Sequence, residues 1–143
     1  MLLQIHEPGQ TPQPHEDAGA AIGIDLGTTN SVVAVATDGK AEVLRDADGR
    51  GLVPSVVAYP DAGEPVVGEA ARRTLLDEPE RVVSSIKRLM GRGATEVQAL
   101  AGTLPYRIVD EASGGMVHIE VAGRRLSPVA VSADILRALK ARA

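Results

Sequence analysis

The chain has 143 residues, enough for about one domain that buries most of its apolar surface in a single core. Its 15 Lys and Arg against 19 Asp and Glu leave a net charge of -4, with no long run of one sign, which argues against a nucleic-acid backbone or an anionic membrane as the main partner. Zero Cys excludes disulfides, thiolate ligands and a Cys-held iron–sulfur cluster; with Tyr59 and Tyr106 the sole aromatics, a base-stacking surface is not expected and the core falls to Val, Ile, Leu, Ala and Met.

Residues 1–19 hold three Pro, three Gln and two His, without a basic cluster before an apolar run. They read as an extended leader, not as an ordinary secretory signal. No stretch approaches the roughly 20 apolar residues that span a bilayer, so a soluble protein is expected. From residue 20 onward the elements read as one domain. AAIGIDLG is apolar, β-branched and closed by a Gly, which predicts a buried strand. In SVVAVATDGKAEVL two β-rich runs flank Asp38-Gly39, a pair that accepts the left-handed backbone of a tight hairpin, and a three-stranded antiparallel meander follows. LVPSVVAYP and PVVGEAA predict a further strand and a strand-to-helix passage, with Pro54 at a strand start or on an edge.

Across 81–90, Val82, Val83, Ile86, Leu89 and Met90 fall at helical spacing, with Gly91 as the stop, so a helix with one basic face is predicted. A weaker helix is expected over 94–101. YRIVDE and MVHIEVA predict two strands around a Ser113-Gly114-Gly115 turn, and RRL adds a third. Ser127 caps a final helix that opens on Pro128 and sets Val131, Ile135, Leu136 and Leu139 on one side. That stripe is still running at Ala143, as in an element cut short. His6, His15 and His118 are scattered without ligand spacing.

Chemistry concentrates in GIDLGTTNS. Gly27 lets backbone N–H groups approach an anion, the hydroxyls of Thr28 and Thr29 add donors for phosphate oxygens, and Asp25 can face a hydrated Mg²⁺. One carboxylate plus waters suits Mg²⁺ better than Ca²⁺. An ordinary polar turn would use the same residue types. It leaves unexplained a carboxylate inside an apolar strand, where an unpaired buried charge costs several kcal/mol. No Gly-rich loop leads to a Lys-Ser/Thr pair, so the phosphates would rest on a hairpin, not on a Walker loop.

GIDLGTTNSVVAV resembles the first phosphate motif of the actin-like ATPases, and specifically of the DnaK-type 70 kDa heat-shock chaperones. Sugar kinases and actin share its Asp-x-Gly core in looser form. LVPSVVAYP, VVGEAA and VVSSIKRLMGR follow in that family's order, and the string from Ile86 to Arg92 is highly specific to it. MLLQIHEPGQ resembles the start of the branch dedicated to iron–sulfur cluster assembly. The resemblance spans the chain but only the N-terminal portion of a far longer family member.

It implies an α/β fold: a partial actin-like ATPase (ribonuclease H-like) domain, its N-terminal lobe built on a mixed sheet with the first three strands antiparallel. It implies ATP or ADP with Mg²⁺ as cofactors. Gly27, Thr28, Thr29, Asn30 and Arg88 would bind nucleotide, Asp25 would face Mg²⁺ through water, and Lys87 would be the catalytic lysine near the γ-phosphate. From composition alone Lys87 and Arg88 are a solvated helix face, and the resemblance reverses that reading for Lys87. The partners implied are a J-type co-chaperone and an iron–sulfur scaffold client, in the cytoplasm, with no nucleic acid or membrane. The remaining nucleotide-binding motifs of the family lie beyond Ala143. Four or five charge-assisted hydrogen bonds of about 1.5–3 kcal/mol each only match the ~4–15 kcal/mol lost in immobilising a ligand. The chain alone is therefore expected to bind ATP no better than millimolar and not to hydrolyse it. A general folding chaperone of the same family, a fragment of an actin-like small-molecule kinase and a non-enzymatic interaction module are the competing readings.

Overall fold

In the computed structural model residues 20–104, 106–109 and 117–143 are described; the leader and the Ser113-Gly114-Gly115 turn fall outside them. Strands β1 (Ala21–Asp25), β2 (Asn30–Thr37) and β3 (Lys40–Val43) form the expected antiparallel meander. Asp38 and Gly39 join β2 to β3 with φ of 51° and 75°, the double left-handed geometry of a type I′ turn. Strand β4 (Val53–Pro54) pairs with the start of β2, placing Asn30 opposite Pro54.

Strand β1 corrects one expectation. All five of its residues are exposed, Ile22 by 50% and Ile24 by 38%. Its apolar β-branched content reports the strand but not what covers it, and β1 lies at the sheet edge with β2 as its one paired neighbour among the described residues. The buried positions of this sheet are Ser31 and Val33 on β2 and both residues of β4, Val53 and Pro54.

Strand β5 (Val56–Ala58) is wholly buried between β6 (Val66–Val67) and β7 (Val82–Ser84), with α1 (Glu69–Thr74) packed on it through Ala71. Here the predicted 81–90 helix is replaced by β7, a left-handed Ser85 (φ 57°) and a 3-10 turn over Ile86–Leu89. Val82 and Val83 are β-branched and complete a ladder with β5, while Ser85 breaks the helical path. Ile86 and Leu89, three apart, share one face of a 3-10 turn as readily as of an α-helix, and both are buried. Met90 is extended and 37% exposed.

Helix α2 (Ala94–Gln98) and a 3-10 turn at Ala101–Thr103 occupy the weaker helical segment. Strands β8 (Arg107–Val109), β9 (His118–Val121) and β10 (Arg124–Leu126) form a third sheet, with a second left-handed pair at Ala122-Gly123. Every ladder among the described residues is antiparallel, so no parallel pair of the expected mixed sheet occurs there.

Helix α3 (Pro128–Arg142) begins as predicted, with Ser127 Oγ accepting from the Ala130 N–H at 3.1 Å. Val131, Ile135 and Leu139 are buried in the main core beside Val57, Val83, Ile86 and Leu89; Leu136 stays 38% exposed. Tyr59, 2% exposed, joins that core and donates its hydroxyl to Asp134 Oδ2 at 2.8 Å, tying the end of β5 to α3.

Candidate functional site

The six residues between the last pair of β1 and β2, Asp25 opposite Val32, form the bend at the hairpin tip. A small buried network holds its shape. Ser31 and Ser55, 1% and 2% exposed, share a hydroxyl hydrogen bond of 2.8 Å. Ser55 Oγ also donates to the Gly27 carbonyl at 2.8 Å, the Gly27 N–H donates to Ser31 Oγ at 3.3 Å, and the Ser55 N–H donates to the Thr29 carbonyl at 2.8 Å. Each tie satisfies a polar group that burial would otherwise penalise.

Gly27 is required here for a reason beyond access to an anion. A Cβ on Gly27 would sit 2.0 Å from the Asn30 carbonyl oxygen, so the bend closes on itself too tightly for any side chain. With the inner face committed to the serines, the outer face is left open. The N–H groups and hydroxyls of Thr28 and Thr29 donate to no acceptor among the described residues. Thr29 and Asn30 are exposed and Thr28 is half-buried. These are free donors grouped on one hydrogen-bonded turn.

Asp25 lies at the mouth of the bend, exposed and without an ion pair or hydrogen bond among the described residues. The desolvation argument for it therefore does not hold in this chain. What remains is a hydrated carboxylate beside open donors. No group of three or more His, Cys, Asp or Glu that could hold a metal occurs among the described residues, so a cation here would rely on Asp25, water and the anion itself.

Lys87 and Arg88 are exposed on the 3-10 turn, and neither side chain makes a hydrogen bond or ion pair among the described residues, with the bend or elsewhere. Strand register relates them to it. Ser84 pairs with Val56, the residue after Ser55, so the chain carrying Lys87 leaves the β5–β7 ladder at the end where Ser55 grips the bend. Buried Ile86 and Leu89 anchor that turn against the core. The Tyr106 hydroxyl donates to the Ser84 carbonyl at 3.1 Å, and burial pushes its pKa up to about 12, opposed by the positive Arg88 nearby.

Ser31 and Ser55 were not among the predicted site residues as a brace. For Ser55 the signal was present in PSVVAY, where a single serine interrupts a buried run. His118 lies in β9, its Nδ1 3.4 Å from Arg125 Nη2.

The arrangement is a hydroxyl-rich hairpin tip, braced from within and open outward, carried on an antiparallel meander. Residues 21–143 match the family described as Hsp70 protein, and the chain belongs to the Hsp70 family, whose ATPase domain has an actin-like fold. Within it the chain is HscA-like. It is 53% identical over 99% of its length to a chaperone protein HscA homolog of Laribacter hongkongensis, and 52% identical over the same share to one of Pseudomonas aeruginosa (strain LESB58). With the chaperone protein HscA of Edwardsiella ictaluri it shares 51% identity. The chain spans 22% of the length of the first two relatives and 23% of the third. Among the described residues no helix is long and apolar enough to cross a membrane.

Proposed function

We propose that this chain supplies the first phosphate-binding element of an ATP-dependent chaperone whose client is the scaffold carrying nascent iron–sulfur clusters. The observation that carries this reading is the braced bend, which presents unused donors from Thr28 and Thr29 beside the free carboxylate of Asp25. Backbone and hydroxyl donors fixed before the ligand arrives hold phosphate oxygens without reorganisation.

Residues 20–143 then form the N-terminal part of an actin-like, ribonuclease H-like nucleotide-binding domain, preceded by the leader 1–19. ATP or ADP is the nucleotide. Gly27, Thr28, Thr29 and Asn30 hold its phosphates, Asp25 faces Mg²⁺ through water, and Arg88 adds positive charge. Mg²⁺, when bound, neutralises phosphate charge. The Lys87 ammonium positions and activates the water that attacks the γ-phosphate, consistent with its place three residues beyond Ser84. The similarity to HscA chaperones supports a J-type co-chaperone and an iron–sulfur scaffold as partners, and a cytoplasmic location. The 143-residue chain alone binds ATP no better than millimolar and does not hydrolyse it.

The test is ATP hydrolysis by the complete protein with and without a scaffold peptide. Lys87→Ala is expected to abolish hydrolysis while ATP still binds, and the double variant Thr28→Ala/Thr29→Ala to weaken binding itself. Undiminished turnover in Lys87→Ala, or phosphoryl transfer to a sugar in place of hydrolysis, would refute the assignment.

A further inference from the structure

Beside the bend, on the side away from β1, lies an open groove of about 580 Å³ between the 44–52 loop and the start of α1. Its walls carry Asn30, Arg45, Arg50, Pro54, Glu69 and Arg72. Three arginines and one glutamate line this space, in a chain whose net charge is -4.

The loop that delivers two of the arginines is closed by its own hydrogen bonds. Asp46 Oδ1 accepts from the N–H groups of Asp48 and Arg50 at 3.0 and 2.8 Å, and the Asp46 N–H donates to the Arg50 carbonyl at 3.0 Å. Gly49 turns the chain with a φ of 79°. These backbone hydrogen bonds, that of Arg50 foremost, hold the Asp46 carboxyl below its usual range. Asp46 is thus spent on the loop itself.

The cations are only loosely engaged. Arg45 bonds to the Gly49 carbonyl at 2.9 Å and has no carboxylate partner among the described residues. The Arg50–Asp48 pair, 3.3 Å long, has side chains 48% and 67% exposed, and Arg72 pairs with Glu69 at 2.9 Å. Exposed pairs of this kind contribute little and exchange readily for a better acceptor. Arg142 also reaches the loop, 3.4 Å from the Arg50 carbonyl. Guanidinium forks from separate elements match the paired oxygens of a phosphate.

We propose that this groove is a second anion site, distinct from the bend, that takes a multivalent phosphate-class oxyanion. The site stands on the arginines and does not depend on the nucleotide reading of Thr28 and Thr29. The probe is inorganic pyrophosphate, titrated calorimetrically into the 143-residue chain at low and at moderate salt. The expected result is saturable binding that weakens at least tenfold in Arg45→Gln/Arg50→Gln, weakens also in Arg72→Gln, falls steeply with salt, and is unmoved by Thr28→Ala/Thr29→Ala. Arg107→Gln, on β8, serves as the control for general loss of positive charge. No saturation, equal weakening in Arg107→Gln, or loss of binding in the threonine variant would each overturn the proposal, the last by assigning the anion to the bend. Loss in both sets of variants with unchanged circular dichroism would merge the two sites into one and overturn it as well.

Discussion

At the bend, the Ser55 hydroxyl is a donor to Gly27 and a partner to Ser31 in the same buried spot. Ser55→Ala leaves the Gly27 carbonyl unsatisfied and is expected to destabilise the chain by about 1–3 kcal/mol, read as a lower midpoint in urea. Gly27→Ala meets the Asn30 carbonyl at 2.0 Å and is expected to cost about as much, roughly 1–3 kcal/mol. The two differ in kind: Ser55→Ala loosens a bend of the right shape, whereas Gly27→Ala forces a different one. Tyr59 and Tyr106 carry a pH dependence on the alkaline side. Burial raises the pKa of both, with the bonded Asp134 adding to the effect at Tyr59. The native state therefore holds their protons above the unfolded value near 10, and stability is expected to fall as pH rises from about 10 towards 12. Tyr59→Phe should flatten part of that fall in urea midpoints measured across the range.

Among the elements, the meander was legible because Asp38-Gly39 dictates a left-handed turn and the runs around it are β-rich. The start of α3 was legible from Ser127-Pro128. Its cap is testable, since Ser127→Ala loses the bond to Ala130 and is expected to cost about 1 kcal/mol, visible as a lower melting temperature. The 81–90 segment was not legible. Ile86 and Leu89 satisfy an α-helical and a 3-10 spacing alike, and only β5, paired through Val56–Ala58, decides that Val82–Ser84 extends. Burial of β1 was illegible for a related reason: an apolar, β-branched run names a strand without naming the layer that covers it. The site divides the same way. Gly27, Thr28 and Thr29 were readable from local residue types, while Ser55 enters from 28 residues away and Lys87 is related to the bend only through strand register.

For the whole molecule, β1 has a paired neighbour on one side only among the described residues and exposes the side chains of Ile22 and Ile24, which share an apolar groove with Leu136 of α3. Such an edge favours association. The chain is expected to elute as a mixture including species larger than a monomer in size-exclusion chromatography with light scattering, and Ile22→Lys/Ile24→Lys to shift it towards monomer. A sharp monomer peak for the unaltered chain would count against this. The central claim is that the outward donors of the Gly27–Asn30 turn meet the nucleotide phosphates. Amide-resolved NMR of the 143-residue chain titrated with Mg-ATP tests it most directly, run also on Arg45→Gln/Arg50→Gln to silence the neighbouring groove. The expected result is a set of shifts centred on Gly27, Thr28, Thr29 and Asn30 with one shared millimolar-range constant in both proteins. Shifts centred elsewhere, with these four amides unmoved at saturation, would contradict it.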